Sequence, residues 1–175
     1  MTEDAVLLTK AARGDRAAFA TLYDRHATGV FAYALRLTGE QSSAEDVTQE
    51  TFLALLGSHR FDPSRSFGAW LLTLARNEAF DLLRRRKVRK ETGLDGALDP
   101  PAPPGTDPGT REAVDAALSA VPEEFREAVW LCDGMEMSYQ EAAEVMDCEI
   151  GTVGSRVARG RKLLREQLSR SGYAV

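Results

Sequence analysis

Five of the seven prolines fall in one stretch, residues 93–110, which reads GLDGALDPPAPPGTDPGT. Proline has no amide hydrogen and a fixed φ, and glycine loses the most backbone freedom on ordering, so this stretch continues neither a helix nor a ladder. It reads as a semi-extended linker. The 175-residue chain is thereby divided into segments 1–92 and 111–175, each of which must build its own core. No segment alternates apolar and polar residues for long, as a half-buried strand does, and the apolar spacing elsewhere is helical. The expected fold is all-α, two small helical domains joined by the flexible, acidic linker 93–110.

The remaining helix signals are local. Asp4 to Arg13 reads as a first helix ended by Gly14. Asp15 caps a second, with an apolar stripe of Phe19, Leu22, Tyr23, Val30, Phe31, Ala34 and Leu35, ended by Gly39. Ser43 is a suitable N-cap for a third, which carries Ala44, Val47, Thr51 and Leu55 on one face and stops at Gly57. After a loop with Pro63, a long helix is predicted from Phe67 to about Lys90, with a stripe of Trp70, Leu71, Leu74, Ala75, Phe80 and Leu83. Beyond the linker, helices are predicted over 111–120 and, opened by Pro122, from Glu123 to about Asp133. Ser138-Tyr139-Gln140-Glu141 reads as a capping box for a short helix ending at Met146. Asp147-Cys148-Glu149 forms a tight turn, and a last helix runs from Ile150 or Gly151 to about Ser169.

Charge then narrows the function. The net charge is -5 and the pI about 5.2, so bulk electrostatics repel DNA. Positive charge is nevertheless concentrated in two places: Arg84, Arg85, Arg86, Lys87, Arg89 and Lys90 at the end of the long helix, and Arg156, Arg159, Arg161, Lys162 and Arg165 in the last one. Two local phosphate-binding surfaces fit this better than general affinity for nucleic acid. No apolar run approaches the roughly 20 residues of a membrane span, and the N-terminus lacks a signal pattern, so a cytoplasmic location without membrane insertion is expected. Cys132 and Cys148 lie in different elements and form no CxxC, and neither His26 nor His59 stands at zinc-ligand spacing from them. They read as small buried side chains, with a redox switch as the other option. No metal, cofactor or small-molecule substrate is expected. There is no Gly-rich phosphate loop, no HExxH and no nucleophile set, so no enzyme is predicted.

Two motifs carry the function. Ser138 to Arg165 has the rhythm of a helix-turn-helix, with small Ala142 and Ala143 allowing a close crossing and Ile150 and Val153 packing the second helix onto the first. Val157 also points inward, which leaves Ser155, Arg156 and Arg159 outward for a major groove. The stretch SYQEAAEVMDCEIGTVGSRVARGRKLLRE closely resembles the region that reads the minus-thirty-five promoter element in extracytoplasmic-function (ECF) sigma factors, group 4 of the sigma-70 family. Gly151, Thr152, Val153, Ser155 and Arg156 match its Gly-Thr-Val-x-Ser-Arg core. The resemblance implies DNA contacts from Thr152, Ser155, Arg156, Arg159, Arg161 and Lys162. Gly154 stands where the family is commonly basic, and Gly160 is a second interior glycine; each costs about 1 kcal/mol of helix propensity against alanine, which points to a softened recognition helix.

The N-terminal half resembles the same family. Asp46, Gln49 and Glu50, within Ala44-Glu45-Asp46-Val47-Thr48-Gln49-Glu50-Thr51-Phe52, stand at i, i+3 and i+4 and so share a helix face. By resemblance this face, with Phe52, grips the clamp helices of the polymerase beta-prime subunit. Phe67 to Arg86 resembles the minus-ten-reading helix, preceded by the loop that holds a flipped non-template base. That assigns minus-ten contacts to His59, Arg60, Phe61, Asp62, Ser64, Ser66, Phe67, Trp70, Arg76, Asn77, Arg84, Arg85 and Arg86. An extruded base needs a shaped pocket with donors and an aromatic wall, and single strands need cations and stacking surfaces. Trp70 is either core or a wedge against the upstream base pair.

The resemblance covers residues 5 to about 168 in the family's order. It implies an alternative sigma factor that binds RNA polymerase core through the beta-prime clamp helices and the beta flap, directs it to promoter DNA, and supports melting. The linker residues extend to about 60 Å at ~3.3 Å each, enough to span two promoter elements roughly 55 Å apart at ~3.4 Å per base pair. Family members are held by an anti-sigma factor, often at the inner face of the membrane, and such a partner is expected here. A different class, a stand-alone helix-turn-helix regulator, uses only the C-terminal half and leaves the Asp46 face and the Phe67 helix without a role.

Overall fold

The computed structural model of the protein describes residues 2–57, 61–91, 114 and 116–170, and among these every regular element is a helix. They separate into two compact units. The linker 93–110, the first residues of the helix predicted over 111–120, and His59 and Arg60 lie outside the described residues; residues 116–119 are helical.

The first unit holds α1 (Glu3–Ala12), α2 (Arg16–Thr38), α3 (Gln41–Gly57) and α4 (Phe67–Glu91). Asp15 starts α2 as expected, its carboxylate accepting from the amides of Ala17 and Ala18 at 3.0 and 3.1 Å. Gly39 ends it with φ +70°, a left-handed conformation that glycine takes without steric cost. α2 packs on α1, α3 and α4. Leu22, Val30, Tyr33 and Ala34 of α2 meet Val47, Thr51 and Leu55 of α3 and Leu71, Ala75 and Ala79 of α4, all essentially inaccessible to solvent. Each large apolar side chain buried there contributes about 1.5–3 kcal/mol. Thr51 is buried without penalty because its hydroxyl donates to the Val47 carbonyl at 2.7 Å.

The stripes differ from expectation in two places. In α2 the inward line advances by about four residues through Ala18, Leu22 and Val30 to Tyr33 and Ala34. Tyr23 lies one residue off that line and is exposed, its ring leaning on Phe52 at 4.7 Å. In α4 the small residues Ala69, Ala75 and Ala79 form the closest packing, with Phe67, Leu71 and Leu72, while Trp70, Leu74, Phe80 and Leu83 are half-buried.

Ser43 is not the N-cap of α3. The helix starts at Gln41, and Ser43 is buried inside its first turn. The organising residue is Glu40, whose carboxylate accepts from Ser42 Oγ at 2.7 Å, Ser43 Oγ at 2.9 Å and Arg86 Nη1 at 2.5 Å. This ties the start of α3 to the far end of α4. The Ser42 hydroxyl, then Arg86 and Ser43, hold the Glu40 carboxyl at about 2, against an ordinary 4.5. A depressed carboxyl stabilises the fold above its ordinary value and loses that contribution as pH falls toward the folded value. The melting temperature is therefore expected to drop between about pH 4.5 and pH 2, with a shallower drop in Glu40→Gln; thermal melts across that range check it.

The second unit holds α5 (Glu123–Val129), a π-helical turn (Trp130–Gly134), α6 (Tyr139–Met146) and α7 (Ile150–Arg170). The capping box forms as expected, with the Glu141 amide donating to Ser138 Oγ at 3.2 Å and the Ser138 amide to Glu141 Oε2 at 2.9 Å. Asp147, with φ +49°, makes the turn into α7. Ala128, Leu131, Ala142, Val145, Val153 and Val157 form the core.

Three expectations are corrected in this unit. The helix predicted to run to Asp133 widens at Trp130, where the Met135 amide reaches the Trp130 carbonyl five residues back. Ile150 does not pack α7 onto α6 but is 51% exposed. Gly160 is buried, and a Cβ there would stand 2.6 Å from Val129 Cγ2 and 2.8 Å from the Phe125 carbonyl oxygen. It lets α5 and α7 cross closely rather than being a weak point in the helix.

Candidate nucleic-acid and protein interfaces

On α3, Glu45, Asp46, Gln49 and Glu50 are exposed together. Gln41 Nε2 donates to Glu45 Oε1 at 2.9 Å, which occupies one end of the strip. Phe52 does not belong to this surface. It is 2% exposed, with its ring edge-on to Phe19 at 6.2 Å and beside Tyr23 at 4.7 Å. The apolar member is Leu53, 60% exposed, standing four residues after Gln49 and three after Glu50 on the same face. Its signal in the sequence was a leucine at helical spacing on an acidic face.

The loop before α4 is built on Asp62. Its carboxylate accepts from the Ser64 amide at 2.9 Å and the Ser64 hydroxyl at 2.8 Å, which holds the Asp62 carboxyl below its ordinary value. Asp62 and Ser64 thus shape the turn around Pro63. Ser66 caps α4, accepting from the Ala69 amide at 3.4 Å. Above it, Phe61, Phe67 and Trp70 form a three-ring cluster with centroids 5.0, 5.4 and 5.7 Å apart. His26 flanks Phe67 at 5.1 Å, and its Nε2 lies 3.0 Å from Asp4 Oδ2. Phe67 is buried, while Phe61 and Trp70 are half-buried, so Trp70 presents part of its indole beside the loop.

Seven residues on from Trp70 stands Asn77, and seven further Arg84; Asn77 is exposed and Arg84 75% exposed. Heptad spacing nearly repeats on a helix, with about 20° of drift, so an indole, an amide and a guanidinium form one line along α4. Arg84 also lies 3.3 Å from Asp81. Arg85, Lys87 and Arg89 continue the exposed charge. Two residues predicted for this surface also make contacts within the fold. Arg86 is the partner of Glu40, and Arg76 lies over the Phe80 ring at 4.6 Å from its centroid.

α7 carries six basic residues and one acidic. At about 100° per residue, the buried positions Val153, Val157 and Gly160 set the inner face, and Ser155, Arg159 and Lys162 point away from it. Ser155 Oγ donates to the Thr152 carbonyl at 2.9 Å, and Thr152 is half-buried. Arg159 is exposed with its guanidinium over Phe125 at 5.4 Å. Lys162 is 72% exposed, with Glu166 at 4.0 Å. Arg156 and Arg161 lie on the two flanks. Arg156 reaches Cys148 Sγ at 3.8 Å and Glu124 Oε2 at 3.5 Å. Arg161 is held by both oxygens of Asp133, at 2.9 and 2.5 Å. At Gly154 a Cβ would meet only the Tyr139 ring, at 3.5 Å, an ordinary contact. Cys132 and Cys148 are free and half-buried rather than buried, with burial pushing the Cys132 thiol up. Among the described residues, no helix is long and apolar enough to cross a membrane.

Comparison with known proteins agrees with these two halves. Residues 22–89 match the family model for Sigma-70 region 2 and residues 111–164 that for Sigma-70, region 4. The chain is 37% identical over 171 residues to ECF RNA polymerase sigma factor SigE of Mycolicibacterium smegmatis, covering 91% of this chain and 66% of SigE. It is 30% identical over 173 residues to ECF RNA polymerase sigma factor SigW of Bacillus subtilis, covering 89% of this chain and 91% of SigW. Among solved structures, the sigma factor RpoE of Bartonella quintana, in complex with the anti-sigma factor NepR, superposes with a TM-score of 0.70 at 29% identity, covering 86% of this chain and 96% of RpoE. With both family regions matched in order along one chain, and the helices of each region present, the protein belongs to the ECF sigma factors of the sigma-70 family.

Proposed function

We propose that this ECF sigma factor recruits RNA polymerase core through the α3 strip of Asp46, Gln49, Glu50 and Leu53, and reads promoter DNA with α4 and α7. Carboxylates with one exposed leucine suit a basic partner helix that also offers an apolar contact. The observation that carries the DNA reading is the line Trp70, Asn77, Arg84 on α4. An indole stacks on a base, an amide hydrogen-bonds a base edge, and a guanidinium pairs with phosphate, which is the set that a melted strand requires. Half-buried Phe61 extends the aromatic surface toward the loop, backed by the buried ring of Phe67.

On α7, Ser155, Arg159 and Lys162 form the groove-facing set. Arg159 reads a base edge, Lys162 contacts phosphate, and Ser155 reaches either. Opening uses binding energy for the unpaired strand and no covalent chemistry. An anti-sigma factor is the natural regulator, since the related RpoE is solved with one. Because both units of the chain match family regions, the two-unit reading accounts for α3 and α4 as well as for the helix-turn-helix.

Arg159→Ala tests the groove assignment. Holoenzyme carrying it is expected to lose about 1–3 kcal/mol of promoter affinity and to relax preference at one base pair of the minus-thirty-five element. Equal loss on every sequence would make Arg159 a phosphate contact and remove it from base readout.

A further inference from the structure

The arginines of α7 are not equally available: one neighbouring segment touches three of them and holds the two on the flanks with carboxylates. Glu124 stands 3.5 Å from Arg156, the Phe125 ring lies under Arg159, and Asp133 takes Arg161 with both oxygens. All three partners come from α5 and its π turn. Asp133 lies within that π turn, Trp130–Gly134. Closing the Met135 amide on the Trp130 carbonyl adds a residue to the turn and shifts the succeeding residues out of α-helical register. Gly134 permits it, because the Trp130 ring fills the place where a side chain would stand, 2.8 Å from a Cβ.

The Asp133–Arg161 pair has the two-pronged geometry that arginine otherwise offers to phosphate. The Asp133 carboxyl is accordingly held below its ordinary value by that arginine. A carboxylate in this position competes with DNA for one guanidinium. Sequence-independent affinity grows with each phosphate neutralised, and a promoter must be found among a great excess of other sites. Withholding one flank arginine therefore lowers the background without touching the outward set.

Building on the reading of α7 as the groove-facing helix, we propose that Asp133 is a positioning residue that holds Arg161 off the phosphate backbone and keeps sequence-independent DNA affinity low. Glu124 does the same more weakly for Arg156 on the other flank.

The test uses the full chain assembled with polymerase core, and two duplexes, one with a matching minus-thirty-five element and one with it scrambled. Asp133→Asn is expected to tighten binding to the scrambled duplex by about eightfold at 0.1 M salt and to steepen its salt slope by about 0.9, one phosphate contact. Asp133→Glu should keep the wild-type slope. Adding Arg161→Ala to Asp133→Asn should abolish the gain. Glu123→Gln, an equal charge change at an exposed position one residue from Glu124, should change the slope by much less. Both members of the pair are on the surface, so the variants should fold, and Asp133→Ala repeats the reading by a second substitution. An unchanged slope in Asp133→Asn and Asp133→Ala, a gain that survives without Arg161, or an equal effect from Glu123→Gln would overturn the inference. A wild-type holoenzyme that does not prefer the matching duplex would instead overturn the assignment of α7 itself.

Discussion

Charge reversal of Asp46 and Glu50 to arginine is expected to abolish co-purification with RNA polymerase core. Both side chains are exposed on one face of α3, so the substitutions leave the core of the first unit intact; surface changes of this kind usually stay within about 0.5 kcal/mol of stability. Placing two cations against a basic partner helix costs several kcal/mol of binding. A loss of about 3 kcal/mol or more lowers affinity by at least about a hundredfold. Helix content by circular dichroism should match the wild type while the pull-down fails. Leu53→Ala should weaken the complex by a smaller factor, and Phe52→Ala should act differently, by melting the Phe19–Tyr23–Phe52 cluster. Wild-type affinity in the double reversal would remove α3 as the polymerase-binding surface.

The two interior glycines of α7 are expected to respond with opposite signs. Gly154→Ala adds a Cβ at ordinary contact distance from Tyr139 and gains about 1 kcal/mol of helix propensity. Gly160→Ala has the same propensity gain, but its Cβ would meet Val129 Cγ2 at 2.6 Å and the Phe125 carbonyl oxygen at 2.8 Å. A side-chain methyl can turn aside; a backbone carbonyl in a packed helix moves only with the helix. Overpacking of this kind costs typically about 1–3 kcal/mol, which outweighs the propensity gain at the upper end and forces α5 away from α7. We expect a net loss of about 2 kcal/mol and a weakened minus-thirty-five preference, because Glu124, Phe125 and Asp133 move with α5. Thermal melts of both variants decide the matter, and a Gly160→Ala protein as stable as Gly154→Ala would show that the crossing is not tight.

Punctuation residues were legible in the sequence because their effect is local. Asp15, Gly39 and the Ser138–Glu141 box each act within a few residues, and each marks a helix end as read. What escaped was set across the fold. Ser43 has the chemistry of a cap, yet α3 starts three residues earlier than that cap implies, behind Glu40, whose carboxylate binds Ser42, Ser43 and Arg86, the last 46 residues away. The π turn at Trp130 depends on the fit of one indole against Gly134, which carries no periodic signal. The basic stretches showed where charge accumulates and not which charges are already engaged. Arg76, Arg86 and Arg161 were indistinguishable from their neighbours until Phe80, Glu40 and Asp133 were seen beside them. Phe52 belonged to the family motif by sequence, but a buried ring and an exposed one look alike there; Leu53, next to it, is the one at the surface.

Transcription by polymerase core with and without this chain, on linear templates with randomised minus-ten and minus-thirty-five hexamers, tests the central claim most directly. The account predicts transcripts only when the chain is present, drawn from templates sharing one pair of elements, with permanganate-reactive thymines in the minus-ten element that fade in Asn77→Ala. Transcripts that start at the same templates with or without the chain, or a chain that binds those templates as duplex and never opens them with core polymerase, would contradict it.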